Sequence, residues 1–323
     1  GFKGVCTVFV TACYSLGGTE LVGVTGAEST NPRKHLPKAI KQVFWRIILF
    51  FLGSLTLISL LVNADDKRLL GSYSSDAKAS PFVIAIRNGG IKGLPHVMNA
   101  VILVSVLSVG NSCVYGCSRT LASLAAQGLA PKCFNYVDRM GRPIVGMAAN
   151  AVVGLLCYCV ASKNQGTVFA WLMSLCGVSA ILIWSSICLS HIRFRLAMKV
   201  QGRSTSELAF ASHAGIYGSI FTLLMYVLVL SVQFWISLFP LGGSGADVTS
   251  FFQNYLGGVL VLVFIIGRKL WVRKFWEMIP LKDIDLDDGR SAVDIDLMQQ
   301  EIREEKEMLR TRNFFYRTYR FWC

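Results

Sequence analysis

The chain has 323 residues, of which 53% are hydrophobic and only 16% charged, with 20 Phe and 29 Gly. An ordinary soluble domain carries about 25% charged residues. This composition therefore argues against a soluble enzyme core, a disordered chain or a disulfide-bonded mini-scaffold. The net charge of +13 would suit nucleic acid, but the placement of the charges points to a membrane. Residue 1 is Gly and no signal-type segment precedes the first apolar stretch, so the chain is expected to be the later part of a longer protein.

A bilayer core needs about 20 apolar residues in a helix. Seven windows approach or exceed that length, at residues 5–27, 43–62, 95–126, 144–162, 167–191, 215–239 and 251–271. Small and polar residues interrupt the first and third. Loop charges set the direction. Arg33, Lys34, Lys38, Lys41 and Arg46 follow the first window. Lys132, Arg139 and Arg142 follow the third, close to Arg119, and Arg193, Arg195, Lys199 and Arg203 follow the fifth. With the basic residues beyond the seventh window, one side collects 25 Lys and Arg against seven on the other. Residues 1–272 are thus expected to form the membrane region, with residue 1 outside, and residues 273–323 a cytoplasmic tail.

Eight of the ten cysteines, Cys6, Cys13, Cys113, Cys117, Cys157, Cys159, Cys176 and Cys188, lie within or at the ends of apolar windows. Cys133 and Cys323 fall on the cytoplasmic side. No disulfide framework is implied, and no zinc spacing, catalytic triad or phosphate loop stands out. No enzymatic activity, metal or cofactor is expected.

The first window is the informative one. Ser15-Leu16-Gly17-Gly18-Thr19-Glu20 is too polar and glycine-rich for a plain anchor, since each Gly weakens a helix by roughly 1 kcal/mol relative to Ala. A discontinuous helix near the midplane is one way transporters bind charged solutes, with freed carbonyls accepting from an ammonium group. Close helix packing through a Gly-rich face is the other reading. Glu20 is the one acid deep in any window. Desolvation would raise its pKa and suit it to proton coupling; the other reading is a carboxyl that bonds the broken helix ends. Ser105, Ser108, Asn111 or Ser112, and Tyr115 recur at helical spacing in the third window and face a cavity or another helix. A similar small and polar run, Ser174 to Ser179 and then Trp184-Ser185-Ser186, marks the fifth. Tyr14 and Trp171 are candidate aromatic gates.

These residues resemble a known family. The Gly17-Gly18-Thr19-Glu20 break and its sequel, Asn31-Pro32-Arg33-Lys34 through Val43-Phe44-Trp45-Arg46, are similar to helix six and its loop in fungal amino-acid permeases, of the amino acid–polyamine–organocation superfamily. The likeness continues through Ser80-Pro81-Phe82, Val106-Leu107-Ser108-Val109-Gly110-Asn111-Ser112, Gly141-Arg142-Pro143, Cys188-Leu189-Ser190-His191-Ile192-Arg193 and Gln201-Gly202-Arg203 to Phe321-Trp322-Cys323. The tail around Asp294-Ile295-Asp296-Leu297 resembles the general-permease branch of that family. The resemblance implies an all-α membrane protein: helices six to twelve of a twelve-helix transporter with a five-plus-five inverted repeat. It implies substrate contacts at Tyr14, Ser15, Leu16, Gly17, Gly18 and Thr19, with Ser108 and Val109 facing the cavity, and favours Glu20 in proton coupling.

In the tail, residues 293–310 read as a short amphipathic helix, and Asp283-Ile284-Asp285 is similar to a diacidic export signal. The basic-aromatic end, from Arg312 to Trp322, suits an anionic inner leaflet better than nucleic acid. Cys323 is the last residue, which leaves no room for a prenylation box and makes it a candidate for S-acylation, as the resemblance also implies. The resulting expectation is a proton-coupled amino-acid symporter of the plasma membrane, working by alternating access. Its partners are amino acids, protons, the lipid bilayer and, through the tail, trafficking machinery, but no nucleic acid. A non-transporting amino-acid sensor of the same fold and, further off, a seven-helix receptor are the alternatives.

Overall fold

The computed structural model describes residues 2–26, 32–66, 69, 80–161, 165–208, 210–212, 214–240, 245–272, 279–287, 300, 303–304, 307–308, 310–314 and 316. Among them there are helices and no strands. The first apolar window is split into three short helices: α1 (Phe2–Cys6), α2 (Phe9–Tyr14) and α3 (Leu21–Gly26). Next comes α4 (Pro32–Arg46), which continues through a widened π-helical stretch, Ile47–Leu52, into α5 (Gly53–Leu61). A short helix, α6 (Pro81–Asn88), precedes α7 (Leu94–Ala126). Both begin with Pro in the first turn, where its missing N–H is an orphan anyway. Then follow α8 (Ile144–Gly154), α9 (Gln165–Val200), α10 (Gly215–Leu238) and α11 (Val248–Val272).

Among the described residues five helical stretches are long and apolar enough to cross a bilayer, at His35–Leu61, Leu94–Ala126, Val168–Val200, Gly215–Leu238 and Val248–Leu270. The expected third window is unbroken despite its small and polar residues. The expected fourth is shorter than its apolar run: α8 tightens into a 3-10 stretch at Leu155–Ala161. The fifth runs past 191 to Val200, so Arg193, Arg195 and Lys199 sit on α9 itself and not in a loop after it.

The chain divides into two compact units, one of Gly1–Gly17, Arg33–Gln42 and Trp171–Cys323, the other of Gly18–Pro32 and Val43–Ala170. In the first, α9 is the centre. Val10 of α2 packs with Val178 and Ile181 of α9 in a buried cluster, edged by Cys13, Leu182 and, on α10, Tyr226, Val229 and Leu230. On another side α11 lies close against α9, where a Cβ on Gly257 would come within 2.5 Å of the Leu175 carbonyl. The Ser174 hydroxyl reaches the Asn254 side chain at 3.4 Å. Between α10 and α11, the Tyr255 hydroxyl donates to the Leu230 carbonyl at 2.8 Å, and Phe234 meets Phe251 and Tyr255 edge-on. Asp247 caps α11: it accepts from the Thr249 N–H at 2.9 Å and the Ser250 hydroxyl at 2.6 Å.

In the second unit α7 is the spine. Val83 and Ile84 of α6 are fully buried, and α6 packs on both α5 and α7. Gly146 of α8 lies against Ser118 of α7, and Leu21 of α3 against Gly116. Elsewhere large apolar side chains face outward, among them Leu60 and Phe264 at 78% and 75% exposure. Apolar surface on that scale suits lipid rather than water.

Candidate functional site

The break is built from backbone chemistry. Helix α2 loses its ladder after Tyr14, where the Ser15 N–H still reaches the Thr11 carbonyl at 3.0 Å. The next two amides make tighter three-residue returns, Leu16 to the Cys13 carbonyl at 3.2 Å and Gly17 to the Tyr14 carbonyl at 2.8 Å. The Ser15 hydroxyl donates to the Ala12 carbonyl at 2.6 Å, competing for helix acceptors. Residues 15–20 form an exposed turn, and helical geometry resumes at Leu21, whose N–H donates to the Gly18 carbonyl at 3.2 Å.

Both glycines are required by this path, for different reasons. Gly18 sits at φ +94°, in the left-handed region that costs an L-residue about 1–2 kcal/mol. At Gly17 the obstacle is space: a Cβ would lie 2.9 Å from the Tyr14 carbonyl oxygen and 3.7 Å from the Trp184 ring. Trp184 on α9 therefore backs the turn, and its own ring lies 6.1 Å from that of Tyr226 on α10. Glu20 folds back over the turn, its Oε2 accepting the Gly18 N–H at 3.1 Å. The carboxylate thus takes a backbone donor that the broken helix leaves over.

Tyr14, Ser15, Leu16, Gly17, Gly18, Thr19 and Glu20 are brought together in this one turn. Tyr14 is half-buried and the six that follow are exposed. Ser108 and Val109 lie mid-way along α7, both exposed. They are two helical turns, about 12 Å, before Gly116, where Leu21 packs. Two of the α7 hydroxyls are occupied within the helix: Ser105 donates to the Val101 carbonyl at 2.8 Å and Ser112 to that of Ser108 at 3.0 Å. Tyr115 receives the Arg119 guanidinium over its ring at 5.2 Å. Cys323 lies outside the described residues, as does most of the expected 293–310 tail helix.

Two residues of the turn's surroundings were not singled out for it by sequence. Trp184, and not Trp171, is the aromatic recorded against Gly17. Its place just after the small and polar run of α9 is the one signal it gave. Tyr226 gave none, because a ring on a uniformly apolar helix looks like any lipid-facing aromatic.

A family model described as amino acid permease matches residues 1–281. The chain belongs to the amino acid permease family. An amino-acid permease of Candida albicans is 53% identical over 324 residues, covering all of this chain and 54% of that protein. The general amino-acid permease of Saccharomyces cerevisiae is 51% identical over 322 residues, covering all of this chain and 53% of its own length. The histidine permease of the same yeast is 51% identical over 323 residues, with 54% of it covered. The chain thus spans about half the length of the curated relatives it matches. No solved structure matches it. With its apolar helices, this permease-family chain is a multi-pass membrane protein.

Proposed function

We propose that this chain is the substrate-carrying part of an amino-acid permease that moves amino acids with protons across the plasma membrane by alternating access. Its helices are then numbers six to twelve of a twelve-helix protein, and its tail lies in the cytoplasm. The observation that carries the reading is the turn at 15–20, in a chain of the permease family. It interrupts an apolar helix, leaves carbonyls unladdered, and is held open by a left-handed Gly18 and a Gly17 wedged against Trp184. Such carbonyls suit the α-ammonium of an amino acid. Tyr14 and Ser15–Thr19 line the contact, with Ser108 and Val109 as further candidates.

Glu20 is the proton-coupling group in this reading. Its carboxylate accepts the Gly18 N–H, so protonation weakens that bond and loosens the turn that holds the substrate. Glu20→Gln keeps an acceptor oxygen and removes the charge. The expected outcome is normal surface expression with uptake reduced and no longer dependent on external pH. Wild-type uptake across all pH values in the variant would contradict the assignment. Radiolabelled uptake also separates this reading from a sensor of the same fold, which binds without accumulating.

Substrate range is not fixed by overall similarity. The general and histidine permeases of one yeast are equally far from this chain at 51% identity, so that likeness does not choose between a broad and a narrow substrate range. We further propose S-acylation of Cys323. A thiol-exchange mobility shift that disappears without hydroxylamine checks it.

A further inference from the structure

The end of α9 grips a stretch of the tail. Gly202, left-handed at φ +71°, closes the helix, with the Arg203 N–H returned to the Met198 carbonyl at 2.9 Å. Just before it, the Gln201 carboxamide donates to the carbonyls of Leu281, Lys282 and Ile284 at 3.2, 3.3 and 2.8 Å. Arg193 donates to the Ile279 carbonyl at 2.6 Å. Arg203 uses Nη1 and Nη2 on the two Asp287 oxygens, both at 2.9 Å. Its Nε and Nη2 also reach Glu207 Oε2 at 3.0 and 2.8 Å. Residues 279–287 are therefore held by one set of contacts that reads backbone carbonyls, from Gln201 and Arg193, and by an ion pair that rests on the Arg203 guanidinium. Asp287 first, and Glu207 second, hold that guanidinium's pKa above its usual value.

The two carboxylates are not equivalent. Glu207 is local, four residues along and joined through the short turn Thr205–Glu207. Asp287 comes from 84 residues away and its side chain is 65% exposed. A new anion beside Arg203 displaces the distant partner first, because a nearby tether gives the higher effective concentration. Between Arg203 and Glu207 the sequence is Ser204-Thr205-Ser206. Thr205 is exposed, opens the turn, and its hydroxyl makes no hydrogen bond to a described residue.

We propose that Thr205 is a phosphorylation site whose modification unclips residues 279–287 from the end of α9. A serine/threonine kinase transfers the γ-phosphoryl group of ATP to Thr205 Oγ1. The bond to the ADP oxygen breaks, the new P–Oγ1 bond forms, and the hydroxyl proton leaves to a base. The phosphate carries nearly two negative charges and three strong acceptors. Two residues from Arg203, it takes the guanidinium in a forked pair and repels Asp287. The Gln201 and Arg193 contacts alone then hold the segment, and both compete with water. Hydrolysis of the phosphate restores the clip. The exposed Asp283 and Asp285 move with the released segment.

The test uses the protein as its gene encodes it, purified in detergent and digested sparingly with trypsin. Detergent removes any dependence on the cytoplasmic placement of this loop, so failure of the clip is distinguishable from failure of the orientation. Cutting after Lys282, whose carbonyl Gln201 holds, is followed by mass spectrometry, with cutting after Lys132 as the control for folding. The expected result is slow cutting in the wild type and in Thr205→Val, and severalfold faster cutting in Arg203→Gln and Thr205→Glu with Lys132 unchanged. Phosphopeptide mapping of protein from its own cells is expected to place phosphate on Thr205. Wild-type cutting in Arg203→Gln or in Thr205→Glu overturns the proposal, as does recovery of the 204–207 region in unmodified form alone under every growth condition sampled.

Discussion

Gly17 and Gly18 make separable demands on the turn, and substitutions read them separately. Gly18→Ala places a side chain at φ +94° with nothing within 4 Å of its Cβ. It is expected to cost about 1–2 kcal/mol of backbone strain without a clash, lowering uptake partially. Gly17→Ala meets the Tyr14 carbonyl at 2.9 Å, so the turn itself must shift. It is expected to lower uptake further than Gly18→Ala at matched surface level. Equal uptake in both variants would show that the turn tolerates displacement. The adjacent glycines and Glu20 were legible in the sequence, because two helix breakers and an acid in an apolar run have few explanations. The Glu20 bond to the Gly18 amide matches the bonding alternative for that carboxyl. Trp184 was not legible as the backing ring, since a contact between distant helices leaves no trace in local periodicity.

Among the helices, the apolar windows were found and their ends were not. The fifth window was closed at the first cluster of basic residues, yet α9 runs on to Val200. Long basic side chains can lie along a helix and reach water beyond the apolar layer, so charge marks the edge of the membrane and not of the helix. Helix α6 escaped notice because eight residues are too few to show a period. The start of α11 makes a prediction of its own. The Ser250 hydroxyl, then the Ser250 and Thr249 backbone, hold the Asp247 carboxyl below its usual range. A depressed carboxyl stabilises the fold above its unfolded pKa, and that contribution is lost as pH falls through the lower folded value. Asp247→Ala should therefore lower the Tm near neutral pH, with the gap to wild type closing under strong acid. A constant gap would mean that the cap acts through packing and not charge. At the α9–α11 contact, Gly257→Val is expected to be poorly expressed, because its branched Cβ meets the Leu175 carbonyl and Ser179. Detergent-resistant monodisperse protein at wild-type yield would contradict that packing.

The molecule as a whole was most legible in its class. Few charges, long apolar windows and the glycine break pointed to a membrane transporter. The family match and the five long apolar helices agree with the family and the multi-pass membrane class, and membership in the permease family removes the receptor alternative. Transport itself is tested most directly by uptake. The protein as its gene encodes it is expressed in cells lacking their own amino-acid uptake, and accumulation of radiolabelled amino acids is measured against Gly17→Ala at equal surface level. The account predicts concentrative accumulation in the wild type, suppressed by excess unlabelled amino acid and largely lost in the variant. Binding without accumulation in the wild type, or undiminished accumulation in Gly17→Ala, would contradict it.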